Sequence, residues 1–341
     1  MRILSFSFNE ERAVFPSHRL LRITVRTILQ AIPMALLIVV ANFLMLQLAP
    51  GDVVDIIAAE SDQPDAKLMA DMRREYGLDQ PVLLQLWAHI WRLLHLELGV
   101  SPRFGKPVLD LILQRLPATL QLMGTAFLIA IVIGTALGVI MASWHGRKPD
   151  RITSITTLIL YSIPNFWIGL MLVLFFSVYL GLLPTGGAGR IGASYTGFAA
   201  VQDRLRYLVL PALTLAIHPV AVYARLTRTA MLEVRNQDFV RTAVAKGLHP
   251  VRVTVHHVLR NALLPLTTAA GMHFAALLSG AVVTETVFAW PGIGRLMFDA
   301  INSRDFVVLL GVVFLSSLMV IVVNALVDIL QAVLDPRIEA R

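Results

Sequence analysis

The stretch FVVLLGVVFLSSLMVIVVNALVDILQAVL, Phe306–Leu334, decides the fold class, because it is apolar almost throughout and carries a single charged residue, Asp328. A helix needs about 20 mostly apolar residues to cross the hydrocarbon core of a bilayer. Five earlier stretches have the same character: Ile28–Leu48, Ala118–Trp144, Ile155–Leu183, Leu205–Ala224 and Leu263–Phe288. The sequence therefore predicts an all-α, polytopic membrane protein with about six transmembrane helices.

The composition points to the same solvent. Apolar residues make up 57% of the 341 residues and charged residues only 15%, against about 25% charged residues in ordinary soluble domains. The net charge of +7 falls in short segments between the apolar stretches, and the chain has no motif for DNA or RNA recognition. We therefore expect the lipid bilayer as a partner and no nucleic acid. The absence of cysteine excludes disulfides and cysteine-based metal sites.

The distribution of charge predicts the orientation. If the N-terminus is cytoplasmic and six spans are crossed, the inner segments hold more than half of the Lys and Arg residues, as the positive-inside rule requires. Both termini are then cytoplasmic. The expected organisation is a cytoplasmic segment 1–27, a first span 28–48, an external segment 49–117, and a five-helix core 118–341 with a cytoplasmic coupling loop at 225–262. Two short helices, Pro64–Tyr76 and Val82–Leu96, are expected in the external segment, and the second is too short to span.

No enzymatic motif is present. The sequence lacks GxSxG, HExxH and the glycine-rich dinucleotide fingerprint. The nearest approach to a phosphate-binding loop is Gly105-Lys106, but Val100 stands where the first glycine is needed and Pro107 where Ser or Thr would hold magnesium. We therefore expect no enzyme activity, no cofactor and no metal site in this chain, with any ATP bound by partner subunits.

The longest predicted cytoplasmic segment, Arg225–Asn261, reads RLTRTAMLEVRNQDFVRTAVAKGLHPVRVTVHHVLRN. Asp238 can begin a helix and Gly247 can end it, with Pro250 beyond. The apolar residues of this helix are Phe239, Val240, Ala243 and Val244. A slim, capped helix suits a groove in another protein, and it equally suits a surface helix resting on the membrane; the residues alone leave both readings open.

This segment resembles the coupling segment of ABC importer permeases, whose signature is Glu-Ala-Ala, three residues, then Gly. Here Arg241-Thr242-Ala243 precedes Gly247 by the same spacing, with Arg in place of Glu. RTAVAKG at 241–247 and RNALLP at 260–265 are similar to the oligopeptide and dipeptide branch. Further matching stretches are LAPGD 48–52, YGLDQP 76–81, RLPAT 115–119, SIPNFW 162–167, LLPTGG 182–187, LPALT 210–214, TETVF 284–288, WPGIGR 290–295 and DPR 335–337.

The resemblance covers nearly the whole chain and, through the long external segment, favours the B-type subunit. It implies a type I ABC importer permease fold in the bacterial inner membrane, importing peptides or similar small solutes. The implied partners are a second homologous permease, two ATP-binding subunits and an external solute-binding protein. The implied ATPase-coupling residues are Asp238, Phe239, Arg241, Thr242, Ala243, Ala245, Lys246 and Gly247, with a positive φ at the glycine.

Polar residues within the predicted spans are candidates for the path or a gate, because ionisable groups are costly in the bilayer. Glu285 either serves the path or pairs with Arg295. Asn165 lies at the Pro164 break of the third span. Asn324 and Asp328 are four residues apart and share a helix face, and Asp328, near the inner end, serves either a cytoplasmic gate or helix packing. The alternative function is an ion-gradient-driven secondary transporter or channel, which predicts inverted repeats and paired mid-bilayer charges; neither is present in the sequence.

Overall fold

The computed structural model describes residues 16–48, 69–70, 74, 79–190, 192–193 and 195–334. The regular elements of this part of the chain are helices: α1 Pro16–Leu48, α2 Val82–Leu94, α3 Val108–Ser143, α4 Lys148–Ser162, α5 Asn165–Leu172, α6 Phe198–Arg235, α7 Asp238–Ala245, α8 Arg260–Val287, α9 Ile293–Asn302 and α10 Phe306–Leu334. A π-helix, Val173–Tyr179, continues α5, and a second, Val253–Leu259, leads into α8 after the short turn Pro250–Arg252. The predicted helix Pro64–Tyr76 lies almost wholly outside the described residues.

Among the described residues, four helices are long and apolar enough to cross a membrane: Thr24–Met45 within α1, α3, α6, and Phe306–Ile329 within α10. The pair α4 and α5 makes a fifth candidate if it is counted as one span. Helix α8 has 28 residues, which is about 42 Å of helix, but it is not among these candidates. The several spans of the prediction are therefore present, and the number six stays a prediction.

The third predicted span is broken where the sequence places Pro164. Helix α4 ends at Ser162, Ile163 has an extended backbone with ψ of 133°, and α5 begins at Asn165. Proline disfavours helical geometry in the residue before it and lacks an N–H for the helix ladder. The two segments consequently meet at an angle of 104°.

Helices α3 and α6 pack closely against each other. Gly134 and Gly138 lie one turn apart on α3 and face α6, so that a Cβ at Gly134 would lie 2.6 Å from Cβ of Tyr223 and 2.9 Å from the carbonyl oxygen of Val220. Small residues at such a spacing let helix backbones approach closely within a membrane. The buried core around this contact contains Leu122, Met123, Ala126, Ala130, Ala212, Leu215 and Ala216.

A second layer packs α1 against α10. The side chain of Asn42 donates a 2.9 Å hydrogen bond to the carbonyl oxygen of Leu310. Asp305 accepts from the Ser101 hydroxyl at 2.5 Å and from the backbone N–H of Val308 at 3.1 Å, which caps the start of α10. The Ser101 contact thus holds the connection between α2 and α3 against the start of α10.

Several helices extend beyond their predicted bounds. Helix α6 continues to Arg235, although the fourth span was predicted to end at Ala224, so the segment 225–262 predicted as a loop is almost wholly helical. Helix α3 likewise begins at Val108 rather than Ala118. Hydropathy marks only the part of a helix that lies in hydrocarbon, whereas the backbone hydrogen bonds continue through the polar turns.

Candidate functional site

Helix α7 begins at Asp238, as the sequence predicts, and ends at Ala245, two residues before Gly247. Lys246 donates its backbone N–H to the carbonyl oxygen of Thr242 at 3.0 Å, and Gly247 donates to Val244 at 2.9 Å. Gly247 has a φ of 74°, in the left-handed region that favours glycine. Because a Cβ at this position would meet no atom within 4 Å, the backbone conformation and not space is what requires glycine here.

The apolar residues of α7 divide between two faces. Val240 and Ala243 are buried in a cluster with Met231 of α6 and Val253 of the second π-helix. Phe239 is 41% exposed and Val244 is 61% exposed. The other predicted coupling residues are also exposed: Asp238, Arg241, Thr242, Ala245 and Lys246. One face therefore seats the helix on its own chain and the other is presented outward.

The connection between α6 and α7 is short and hydrogen-bonded. Only Asn236 and Gln237 separate the two helices, and their backbone N–H groups donate to Glu233 and Val234 at 3.3 and 3.1 Å. Helix α7 is therefore held close to the end of α6, which is one of the candidate spans.

An ion pair between the half-buried Arg228 and the buried Asp150 ties α6 to α4. Arg228 donates from Nε to one oxygen of Asp150 at 2.8 Å and from Nη2 to the other at 2.9 Å. The Asp150 carboxylate also accepts from the backbone N–H of Gly146 at 2.9 Å and from the Ser154 hydroxyl at 3.3 Å. Bidentate arginine–carboxylate pairs are stronger than hydrogen bonds between neutral groups. Sequence reasoning missed the pair, because 78 residues separate its members.

Glu285 is fully buried at the end of α8. Its Oε1 accepts a 2.6 Å hydrogen bond from the Thr119 hydroxyl, and its Oε2 accepts from the backbone N–H of Arg295 at 3.1 Å. The Thr119 hydroxyl in turn accepts from the backbone N–H of Ile293 at 2.8 Å. A Cβ at Gly292 would collide with the carboxylate. The carboxylate thus joins α3, α8 and the start of α9.

The surroundings of Glu285 distinguish its two candidate roles, in the path or in structural pairing. The Arg295 guanidinium is hydrogen-bonded to the carbonyl oxygen of Ala289, so Arg295 serves Glu285 through its backbone N–H. A carboxylate enclosed by three elements is well suited to hold them together and offers no surface to a passing solute. The geometry favours the structural reading over the gate.

The other three path candidates are not joined to Glu285. Asn165 opens α5, and its Oδ1 is shielded from solvent without a hydrogen-bond partner among the described residues. Asn324 is half-buried on α10 and Asp328 is exposed on the same helix. The structure therefore brings together no polar cluster from these residues, and their role in a path stays a prediction.

In the part of the chain that the structure describes, several apolar spans and a short helix at the end of one span, exposed on one face, fit the permease class of membrane transport proteins. Residues 134–340 match the family described as binding-protein-dependent transport system inner membrane component, and residues 20–123 match the N-terminal region of such components. The chain belongs to this family. It is an inner-membrane permease subunit of an ABC importer, and the family implies an ATPase and a substrate-binding protein as partners.

Curated relatives cover almost the full chain. The dipeptide transport system permease protein DppB of Escherichia coli K12 is 38% identical over 341 residues, covering 94% of this chain and 99% of its own. The oligopeptide transport system permease protein AppB of Bacillus subtilis 168 is 38% identical over 92% of this chain and 98% of its own. A putative peptide transport system permease protein of Brucella abortus 2308 has the same identity over 92% and 97%.

A solved structure shares the fold. The MetNI methionine ABC transporter in an inward-facing conformation superposes with a TM-score of 0.53 at 20% sequence identity, over 67% of this chain and 97% of that chain. This likeness shows the permease fold in the chain's larger part.

Proposed function

We propose that this chain, with a second homologous permease, forms the translocation path of an ATP-driven importer for peptides. The names of the relatives, which are dipeptide, oligopeptide and peptide permeases, support this substrate class. Two ATP-binding subunits supply the energy and an external solute-binding protein delivers the peptide. The family membership argues against the alternative of an ion-gradient-driven secondary transporter or channel.

The chain itself binds no ATP and needs no cofactor in this proposal. A backbone hydrogen bond closes the turn that contains Gly105 and Lys106, since Ser101 donates its N–H to the carbonyl oxygen of Lys106 at 3.0 Å. Pro107 follows directly and α3 begins at Val108. The hydroxyl that a phosphate-binding loop places after its lysine is therefore missing from the turn.

The observation that carries the coupling role is the division of α7 into two faces. Val240 and Ala243 fix the helix to α6 and to the second π-helix, so the helix moves with the span. Phe239 remains outward as an apolar anchor for a groove in an ATP-binding subunit. Closure of the ATP-binding subunits would then displace α7 as a rigid body and move α6 between inward-open and outward-open arrangements.

Replacement of Gly247 tests this role. A left-handed conformation costs an L residue roughly 1–2 kcal/mol, and β-branched residues are outliers there, whereas Asn is tolerated. We expect Gly247→Val to abolish vanadate-sensitive peptide uptake by the reconstituted importer, while membrane insertion is unchanged. Gly247→Asn is the matched control and should retain uptake. Normal uptake by Gly247→Val would contradict the docking role.

A further inference from the structure

A cavity of about 890 Å³ lies beside α7, between the ends of α3 and α6 and the second π-helix. Most of its wall is apolar and includes Val139, Ala142, Met231, Val240, Val253 and Val258. The space is large enough for a ligand with a long apolar part, because pockets for drug-sized ligands run from about 300 to 1,000 Å³.

The charges around this cavity are of one sign. Arg147, Arg235 and Arg241 line it, and none of the described lining residues is acidic. The Arg241 guanidinium lies 3.4 Å from Asp238, so Arg147 and Arg235 are the cations that face the cavity without that counter-charge. An apolar wall with a basic rim is complementary to an amphiphile that carries negative charge.

The helices and side chains around the cavity indicate a position where a membrane meets water. Val139 and Ala142 belong to the last turns of α3, a candidate span, whereas α7 lies beyond the end of α6 on the predicted cytoplasmic side. Directly after α3, the Arg147 guanidinium carbon stacks 5.9 Å above the ring of Trp144, and Trp144 is 48% exposed. Tryptophan and arginine at the end of a span are typical of the membrane interface.

We propose that this cavity binds an anionic phospholipid of the inner leaflet. Its acyl chain would pack against Val139 and Met231, and its phosphate would lie at Arg147 and Arg235. Basic pockets between transmembrane helices on the cytoplasmic side recognise anionic headgroups. The apolar wall is complementary to an acyl chain, which disfavours free phosphate or a nucleotide. The positive charge of Arg147 and Arg235, with no acid among the described lining residues, favours an anionic over a zwitterionic headgroup.

The bound lipid has a consequence for α7. Val240, Arg241 and Val244 contribute to the cavity wall, so a lipid seated there contacts the helix proposed to couple to the ATP-binding subunit. The lipid then helps to hold α7 in place. This inference goes beyond the proposed function and does not depend on the transported solute.

The test is native mass spectrometry of the full-length chain in detergent, titrated with phosphatidylglycerol or phosphatidylcholine. Basic residues near a membrane surface contribute about fivefold each to anionic lipid affinity. We expect the double variant Arg147→Gln, Arg235→Gln to bind phosphatidylglycerol roughly 30-fold more weakly. The control double variant Arg151→Gln, Arg260→Gln removes two exposed arginines that do not line the cavity and should bind as the unaltered chain does.

A charge-preserving variant separates loss of the arginine charge from misfolding. Arg147→Lys with Arg235→Lys preserves the charge and should restore most of the binding, which a misfolded protein would not do. Three results would overturn the proposal. The cavity and control variants could lose phosphatidylglycerol binding equally, or the unaltered chain could bind phosphatidylcholine, or glycerophosphate without acyl chains, as tightly as phosphatidylglycerol. Stoichiometric displacement of the lipid by added ATP-binding subunits would also overturn it, with the ATPase as the occupant.

Discussion

Thr119 and Glu285 are separated by 166 residues in sequence and share a buried hydrogen bond of 2.6 Å. The same threonine hydroxyl accepts the backbone N–H of Ile293. Three elements, α3, α8 and α9, therefore meet at one carboxylate. Of the two roles that the sequence leaves open for Glu285, in the path or in structural pairing, the geometry favours the structural one.

Removal of the Glu285 carboxylate should lower the stability of the protein and leave its selectivity for solutes unchanged. Glu285→Leu leaves the Thr119 hydroxyl and the Arg295 N–H without their acceptor. Loss of a buried hydrogen-bonded partner costs about 1–3 kcal/mol for each group left unsatisfied. We expect a clear fall in the midpoint of thermal unfolding in detergent, and a parallel fall in the amount of folded protein recovered.

Asp328→Asn is the control for Glu285→Leu, because Asp328 is also an acid in a predicted span but is exposed in the chain. Its unfolding midpoint should match that of the unaltered protein. If Glu285→Leu leaves the midpoint unchanged and lowers only solute uptake, Glu285 belongs to the path and the structural reading is wrong.

The close contact of α3 with α6 makes a second prediction. Gly134→Ala places a Cβ 2.6 Å from that of Tyr223, so the helices must separate or shift. Overpacking of this kind costs roughly 1–3 kcal/mol. We expect a lower midpoint of thermal unfolding for the purified permease.

Gly124 on the same helix offers a matched control, because a Cβ there would meet no atom within 4 Å. Gly124→Ala should leave the midpoint unchanged or raise it, since alanine is favoured over glycine in a helix by about 1 kcal/mol. Equal effects of the two substitutions would show that the α3–α6 contact is less close than described.

His89 on α2 predicts a dependence on pH. Its ring lies 5.7 Å from that of Phe43 on α1. Burial, together with the Arg92 cation, lowers the pKa of His89 from 6.5 to about 4. Between these two values the unfolded state binds the proton and the folded state does not, so stability falls as the pH is lowered below about 6.5.

Thermal unfolding between pH 7.5 and pH 5 measures this effect. The unaltered protein should lose up to about 1.4 kcal/mol per pH unit from this group, and His89→Phe, which keeps a ring against Phe43, should lose less over the same range. Identical pH profiles would show that His89 titrates normally in the folded protein.

The spans could be predicted because apolar composition is a direct consequence of the bilayer. Helix α10 has the bounds of its predicted stretch, Phe306–Leu334, since Asp305 caps its start and its interior is apolar almost throughout. The break of the third span at Pro164 was also predictable, because proline has no backbone N–H to donate within a helix. What hydropathy cannot mark is the end of α6, where the helix continues to Arg235 outside the apolar window.

The site was less accessible to sequence reasoning. The start of α7 at Asp238 follows from the preference for acidic residues in the first turn of a helix, and the glycine after its end from C-capping rules. The partner of Glu285 does not, because Thr119 is distant in sequence and Arg295, the nearer candidate, contributes its backbone. Helix α9 was missed altogether, although Pro291-Gly292 and the apolar residues Ile293 and Leu296 mark its start.

The alternatives for α7, a docking helix or a helix on the membrane surface, separate on the environment of Phe239. The chain contains no cysteine, so Phe239→Cys can carry a unique photo-crosslinker. Phe239 is exposed and does not line the cavity beside α7. Val201→Cys, at an exposed position near the start of α6, is the control at the opposite end of that helix.

The most direct measurement is therefore photo-crosslinking of these two variants in the importer co-expressed with its ATP-binding subunits. The proposal predicts a covalent adduct between Phe239→Cys and an ATP-binding subunit, and no such adduct from Val201→Cys. Adducts of Phe239→Cys with lipid alone, or equal ATPase adducts from both positions, would contradict the coupling role of α7.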